Sequence, residues 1–205
     1  MKTRLALSLL FLPLAGCALI PHAQVPTHYY LIAPPPQASP VPAPADLELA
    51  VEPLDSAARY TTRILSRTGD VAVAYYEFER WAEPPAEMLT SALRHALQAA
   101  RVARVVVAGR LIQRPGALLR GRLNQFDEVH APDGWSAGCA VELLLSWDDA
   151  ERTVQSFHFA ETRKARAKTT AAVAEAMSAA VAEVAAKATQ AIAKALWGHE
   201  AKGTK

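Results

Sequence analysis

Along Asp46 to Val51, Leu47, Leu49 and Val51 fall on one side and Glu48 on the other, the period-two pattern of a strand with one buried face. Strands are likewise predicted at Thr62 to Ser66 and Val71 to Glu77, either side of Arg67-Thr68-Gly69-Asp70, where glycine supplies the backbone a hairpin turn needs. Further strands are predicted near Val102 to Ala108, Leu118 to Val129, Gly138 to Trp147 and Arg152 to Thr162, with Asp148-Asp149-Ala150-Glu151 turning between the last two. In the Gly138 strand, Cys139, Val141, Leu143, Leu145 and Trp147 share a face. The period changes to three and four at two places. Met88, Leu89, Ala92, Leu93, Ala96 and Leu97 make the apolar stripe of a helix from about Ala86 to Ala100. Pro84-Pro85 suits its start, where the first amides have no intrahelical partner to lose. The second helix runs from about Thr169 to Trp197, with Val173, Met177, Val181, Val184, Ala188, Ala191 and Ala195 down one side and fourteen alanines in residues 167–197. The pattern predicts an α/β fold of the α+β kind: a mainly antiparallel mixed sheet packed by two helices, the long alanine-rich one at the C-terminus.

The N-terminal quarter reads differently. Nine of the fourteen prolines lie between Pro21 and Pro53, which excludes helix and central strand there. The exception is His28 to Ala33, where Tyr29-Tyr30-Leu31-Ile32 has the character of a strand. Residues 34–45 are expected to form a proline-rich connection inside or beside the domain. Ahead of all this, Lys2 and Arg4 precede an apolar run from Leu5 to Leu14, too short for the roughly 20 residues a spanning helix needs. Leu14-Ala15-Gly16-Cys17 resembles the bacterial lipobox, in which small residues admit a peptidase and the cysteine thiol takes a diacylglyceryl thioether. The expected organisation is a signal peptide over 1–16, a lipidated tether over 17–27, one domain over 28–197 and a polar tail over 198–205. Cys17 is the expected lipidation site, to carry diacylglyceryl and N-acyl (palmitate-type) groups. With a proline-rich rise of about 3.1 Å per residue, the ten residues after Cys17 reach roughly 30 Å.

Composition narrows the function. Removal of residues 1–16 takes away Lys2 and Arg4 and no acid, so 20 bases balance 20 acids, and nucleic acid is not an expected partner. Glu175, Glu183, Lys187 and Lys194 exclude the last helix as a membrane span. Its expected role is docking on the sheet, with an intermolecular helical contact as the alternative. Lipidation of Cys17 leaves Cys139 without a disulfide partner, and its apolar strand marks it as a core thiol. Gly134-Trp135-Ser136-Ala137-Gly138 has the form G-x-S-x-G, but a nucleophile elbow needs a strand before and a helix after the serine. Here Ala131-Pro132-Asp133-Gly134 reads as a turn and a strand follows, so Ser136 is read as a turn serine and no catalytic residue is assigned. There is no phosphate-binding glycine loop and no histidine pair at ligand spacing, so neither cofactor nor metal is expected. Arg163, Lys164 and Arg166 form a basic stretch before the last helix, read as a solvated face or as a contact for anionic headgroups or an acidic partner. Arg101, Arg104, Arg110, Arg114, Arg120 and Arg122 extend it if the fold brings them together. Trp81 is either core or a partner-facing anchor.

The lipobox, Tyr29-Tyr30-Leu31, the paired strands and Arg80-Trp81-Ala82-Glu83-Pro84-Pro85 opening a helix together resemble the ABC-type transport auxiliary lipoproteins, the PqiC-like family, over about residues 28 to 197. That resemblance implies a non-catalytic domain tethered to the inner leaflet of a Gram-negative outer membrane. It also implies service to a lipid transporter built on an MCE-domain protein, a permease and an ATPase; a homo-oligomer is a separate partner expectation. Ala18 stands where enterobacterial lipoproteins retained at the inner membrane carry Asp, and so looks like outer-membrane sorting. The alternative is a structural or assembly lipoprotein of the envelope that serves no transporter.

Overall fold

A computed structural model of the chain describes residues 25–33, 40–41, 44–69, 71–111, 113–148 and 153–203. Within them lies one nine-stranded mixed sheet with two helices. Its spine is β7 (Ala117–Ala131), which pairs antiparallel along one edge with β8 (Gly134–Trp147) from Ala117↔Trp147 to Ala131↔Gly134. β8 in turn pairs antiparallel with β9 (Val154–Lys164). The other edge of β7 is met in succession by three parallel strands, β2 (Ala45–Val51), the two-residue β3 (Asp55–Ser56) and β4 (Arg63–Thr68). β4 hairpins to β5 (Ala72–Trp81), β1 (His28–Tyr30) adds in parallel to β5, and β6 (Ala103–Ala108) adds in parallel to β2. The long ladders are antiparallel, as the pattern predicts, while the short flanking strands are mostly parallel.

A bulge explains how one strand serves both halves. The register slips between Leu123 and Gln125, setting Asn124 outside the β7–β8 ladder. Such an extra residue bends the strand and reverses which positions face inward. Before the bulge the fully buried side chains are Leu119 and Leu123; after it they are Phe126 and Glu128. The carbonyl of Asn124 accepts bonds from the Arg59 guanidinium (3.1 Å) and the Tyr60 hydroxyl (3.3 Å), tying down the loop after β3.

Helix α1 (Pro85–Ala99) begins with Pro85 in its first turn, as expected. It closes through Arg101, whose φ of 53° is left-handed. The Val102 amide donates to the Leu97 carbonyl (3.3 Å) and that of Arg101 to Gln98 (3.0 Å), the paired bonds of a Schellman closure with arginine where glycine is usual. Thr90 Oγ1 joins the helix to the sheet: it donates to Ala86 O (2.6 Å) and accepts from the Leu54 amide (3.0 Å).

Helix α2 (Thr170–Gly203) lies over β8 and β9 and against α1. Val173, Met177, Val181, Val184 and Ala188 are buried as the stripe predicts, but the stripe then continues through Ile192 and Leu196, leaving Ala191 and Ala195 half-buried. The helix also passes Trp197 by six residues, into the stretch expected to be a polar tail. Gly198 there is an interior helical residue, and one position later His199 stacks on Trp147 with centroids 4.6 Å apart. The inner face of β8, Cys139 through Trp147, meets this helix in the core. No described helix is long and apolar enough to cross a membrane.

Candidate functional surfaces

Cys17 and the first part of the tether lie outside the described residues, as does most of the proline-rich segment 34–45. The described chain enters at Val25 and joins the sheet edge through β1, with His28 opposite Glu79 and Tyr30 opposite Trp81. His28 Nδ1 lies 3.0 Å from Glu79 Oε1. Burial opposes ionisation of Glu79, but hydrogen bonds from Tyr30 and His28 outweigh it and hold the carboxyl below its ordinary range. The Tyr30 hydroxyl is pushed up to about 12, first by burial and then by Glu79.

Trp81 ends β5 instead of lying in the approach to α1, and it is 2% exposed. Its ring meets Phe126 edge-on, with centroids 5.2 Å apart. Its amide donates to Thr62 O (2.7 Å), and the next amide, Ala82, donates to Tyr30 O (2.8 Å), so three strands converge on it. Of the two readings of this tryptophan, the geometry is that of a core residue.

The basic stretch is less basic in place than in sequence. Arg163 and Lys164 belong to β9, which runs two residues past the expected Thr162, and Arg166 lies in the connection to α2. Each meets carboxylates: Arg163 meets Glu161 (2.8 Å) and Glu183 (3.6 Å), Lys164 meets Asp133 (2.8 Å), and Arg166 meets Glu175. Lys187 of α2 also binds Glu161, and that hydrogen bond leads the effects that lower the Glu161 pKa. Two of the proposed extending arginines are paired elsewhere, Arg104 with Asp46 and Glu48 and Arg120 with Glu52.

Ser136 is not in a turn. The turn is at Pro132-Asp133, Gly134 takes φ 140° to leave it, and Ser136 is a strand residue paired with Val129 on β7 and Lys164 on β9. The segment lacks the strand, turn and helix of a nucleophile elbow, since β8 simply continues through it. Cys139 is fully buried, and burial pushes its thiol up to about 12, that of an unreactive core cysteine. Among the described residues no group of three or more His, Cys, Asp or Glu side chains is arranged to hold a metal.

A buried polar group that sequence reasoning missed lies on β7, two residues past Phe126. Glu128, 1% exposed, accepts at Oε1 from the Tyr76 hydroxyl (2.7 Å) and also meets His130 Nε2, whose ring stacks on Trp135 at 4.2 Å. Burial, then Glu128, raises the Tyr76 pKa well above its ordinary value. Among the described residues Glu128 Oε2 has no hydrogen-bond partner. Nearby on β7, Asp127 accepts from Gln125 (2.7 Å) and pairs with Arg67 (3.2 Å); burial nonetheless raises its pKa. Alternation along β7 would enclose only one of these neighbouring acids, yet after the bulge at Asn124 both are buried, Asp127 at 4% and Glu128 at 1% exposure.

This body matches the family model for the ABC-type transport auxiliary lipoprotein component over residues 29–188, and the chain belongs to that family. Among solved structures, protein XCC0632 from Xanthomonas campestris superposes with a TM-score of 0.73 at 20% identity, covering 87% of this chain and all of that one. A second solved structure, of an uncharacterized protein, gives 0.66 at 17% identity over 82% of this chain and 99% of the other. At such identities these likenesses establish the fold alone. No curated protein matches the chain.

Proposed function

We propose that this protein is the membrane-tethered, non-catalytic subunit of an MCE-type lipid transporter. It is held to the inner leaflet of the outer membrane by acyl groups on Cys17 and acts by docking on the periplasmic MCE partner. The observation that carries this reading is the lipobox Leu14–Cys17, placed just ahead of a body whose family match begins at residue 29. A domain delivered to a membrane by a covalent lipid and belonging to a transporter's auxiliary family has contact, not chemistry, as its means of action. The strip formed by Arg163, Lys164 and Arg166 with Glu161, Asp133, Glu175 and Glu183 would then orient a partner through matched charges more than attract it by net charge. Trp81 would support the docking surface from within.

Labelling with a fatty acid followed by fractionation, and co-purification with an MCE protein from the source cell, test the proposal together. Cys17→Ser is expected to lose label and membrane retention while the domain melts as the parent does. Equal label and retention in the variant would refute the anchor, and a lipidated chain that never co-purifies with an MCE protein would refute the transporter role.

A further inference from the structure

Along β1, His28 and Tyr30 both reach Glu79, His28 with its side chain still 58% exposed, while Tyr29 and Leu31 stand 65% and 61% exposed. Tyr29 is opposite Arg80 on β5, and Phe78, two residues from Arg80 on that strand, is 37% exposed. Val25, where the described chain begins, adds another exposed apolar side chain at 56%. Leu31 also forms one wall of a groove of about 260 Å³ against Met88, Ala92 and His95 of α1. Single exposed apolar residues need no explanation, but here they gather on one strand pair beside an open groove.

The place of this face along the chain says what covers it. Eight residue steps lead from Cys17 to Val25, and a fully extended chain of that length spans at most about 29 Å. A domain of this size has a radius of gyration of about 16 Å, so a lipid on Cys17 keeps the β1 edge closer to the bilayer than the far side of the sheet. Tyrosine suits the boundary between headgroups and acyl chains, where one end of the ring is apolar and the other wet. Strand register puts Arg80 and Arg63 beside the face and Glu83 lines the groove with Leu31, and the exposed apolar side chains supply an attraction that zwitterionic lipid suffices to satisfy.

We propose that the outward face of β1 and β5, with Tyr29, Leu31 and Phe78 at its centre, rests on the lipid surface that holds the anchor, which sets the angle at which the domain is presented to its partner. This rests on the lipobox reading of Cys17. The test uses the full lipidated chain in phosphatidylcholine vesicles containing nitroxide-labelled lipid. An environment-sensitive fluorophore is placed on Thr27→Cys, on the same side of the chain as Tyr29, or on Thr162→Cys of β9 as the distant control. Buried Cys139 does not compete for the label.

Quenching at position 27 is expected to be several-fold stronger than at 162. Tyr29→Ser, Leu31→Ser and Phe78→Ser together are expected to abolish that difference, while mass spectrometry still finds lipid on Cys17 and the vesicles still carry the protein. If the triple variant does not fold, Leu31→Ser alone is expected to reduce the difference. Equal quenching at the two positions, or a difference that survives the serine substitutions, overturns the proposal. So does an unquenched patch whose substitution dissociates an oligomer in light scattering, since the face would then belong to a second copy. Absence of lipid on Cys17 removes the anchor itself, and the proposal falls with it on that separate ground.

Discussion

Trp81→Ala is the sharpest single probe of the fold, because this residue was readable either as core or as anchor and the structure encloses it. Removing a buried tryptophan costs about 3–5 kcal/mol through lost transfer energy and the cavity left behind. Edge-on contact with Phe126 accounts for about 0.5–1.5 kcal/mol of interaction beyond area alone. Against a total stability of about 5–15 kcal/mol, the variant unfolds at room temperature only if the parent is near the bottom of that range and otherwise stays folded with a reduced margin. At about 2–4 °C per kcal/mol for a chain of this length, its melting midpoint should fall by on the order of 6–20 °C. Trp81→Phe keeps a ring against Phe126 and should lose much less. Thermal and urea melts followed by far-ultraviolet circular dichroism suit the measurement, since the other three tryptophans would dilute a fluorescence change. A cycle with Phe126→Leu isolates the ring-to-ring coupling. An unchanged midpoint and urea slope for Trp81→Ala would refute the reasoning, and an unchanged melt with lost co-purification would move the residue to the interface.

Gly121→Ala should destabilise by about 1–3 kcal/mol in urea melts, because a Cβ there would come within 2.4 Å of the Glu142 carbonyl oxygen, a backbone atom with little freedom to retreat. Arg101→Gly should gain up to about 1 kcal/mol by relieving the left-handed arginine that closes α1, measured the same way. Glu161→Gln should lower the melting temperature at pH 7. The folded-state pKa of Glu161 lies below its ordinary value of 4.5, so its stabilisation is full above that value and fades as pH falls through the depressed one. Melts of parent and variant should therefore converge in acid, and a difference that persists at the lowest pH would assign the effect to packing.

Local pattern revealed much of the architecture, for stated reasons. Pro85 marks the start of α1 because a first-turn amide has no partner to lose, and the odd positions from Cys139 to Trp147 betray the inner face of β8 by alternation. The start of β8 was missed because Gly134, Ser136 and Gly138 carry weak strand preference; pairing with β7 and β9 holds them extended. The end of β9 was missed because Arg163 and Lys164 read as a solvated run, whereas Arg163 faces carboxylates of β9 and α2. The parallel docking of β2, β3 and β4 on β7 left no trace in sequence, since nothing local distinguishes a strand that pairs with a neighbour from one that pairs with residues far along the chain. The enclosure of Glu128 depends on a one-residue register slip, which no periodicity reports.

The shared edge of β7 also sets an order of assembly. β2, β3 and β4 precede the strand that receives them, so whichever way the chain enters its compartment N-terminus first, their β7 ladder cannot form until residues 117–131 have followed. The β7–β8–β9 meander needs only short loops and loses little entropy in closing, so it should protect its amides first in pulsed hydrogen exchange, with β2 and β4 later. Until then the early strands travel with open hydrogen-bonding edges, the state most prone to wrong partners. A protein whose body is completed by its own second half is thus most exposed during delivery, and a chaperone that holds the first hundred residues apart would shield it during that interval.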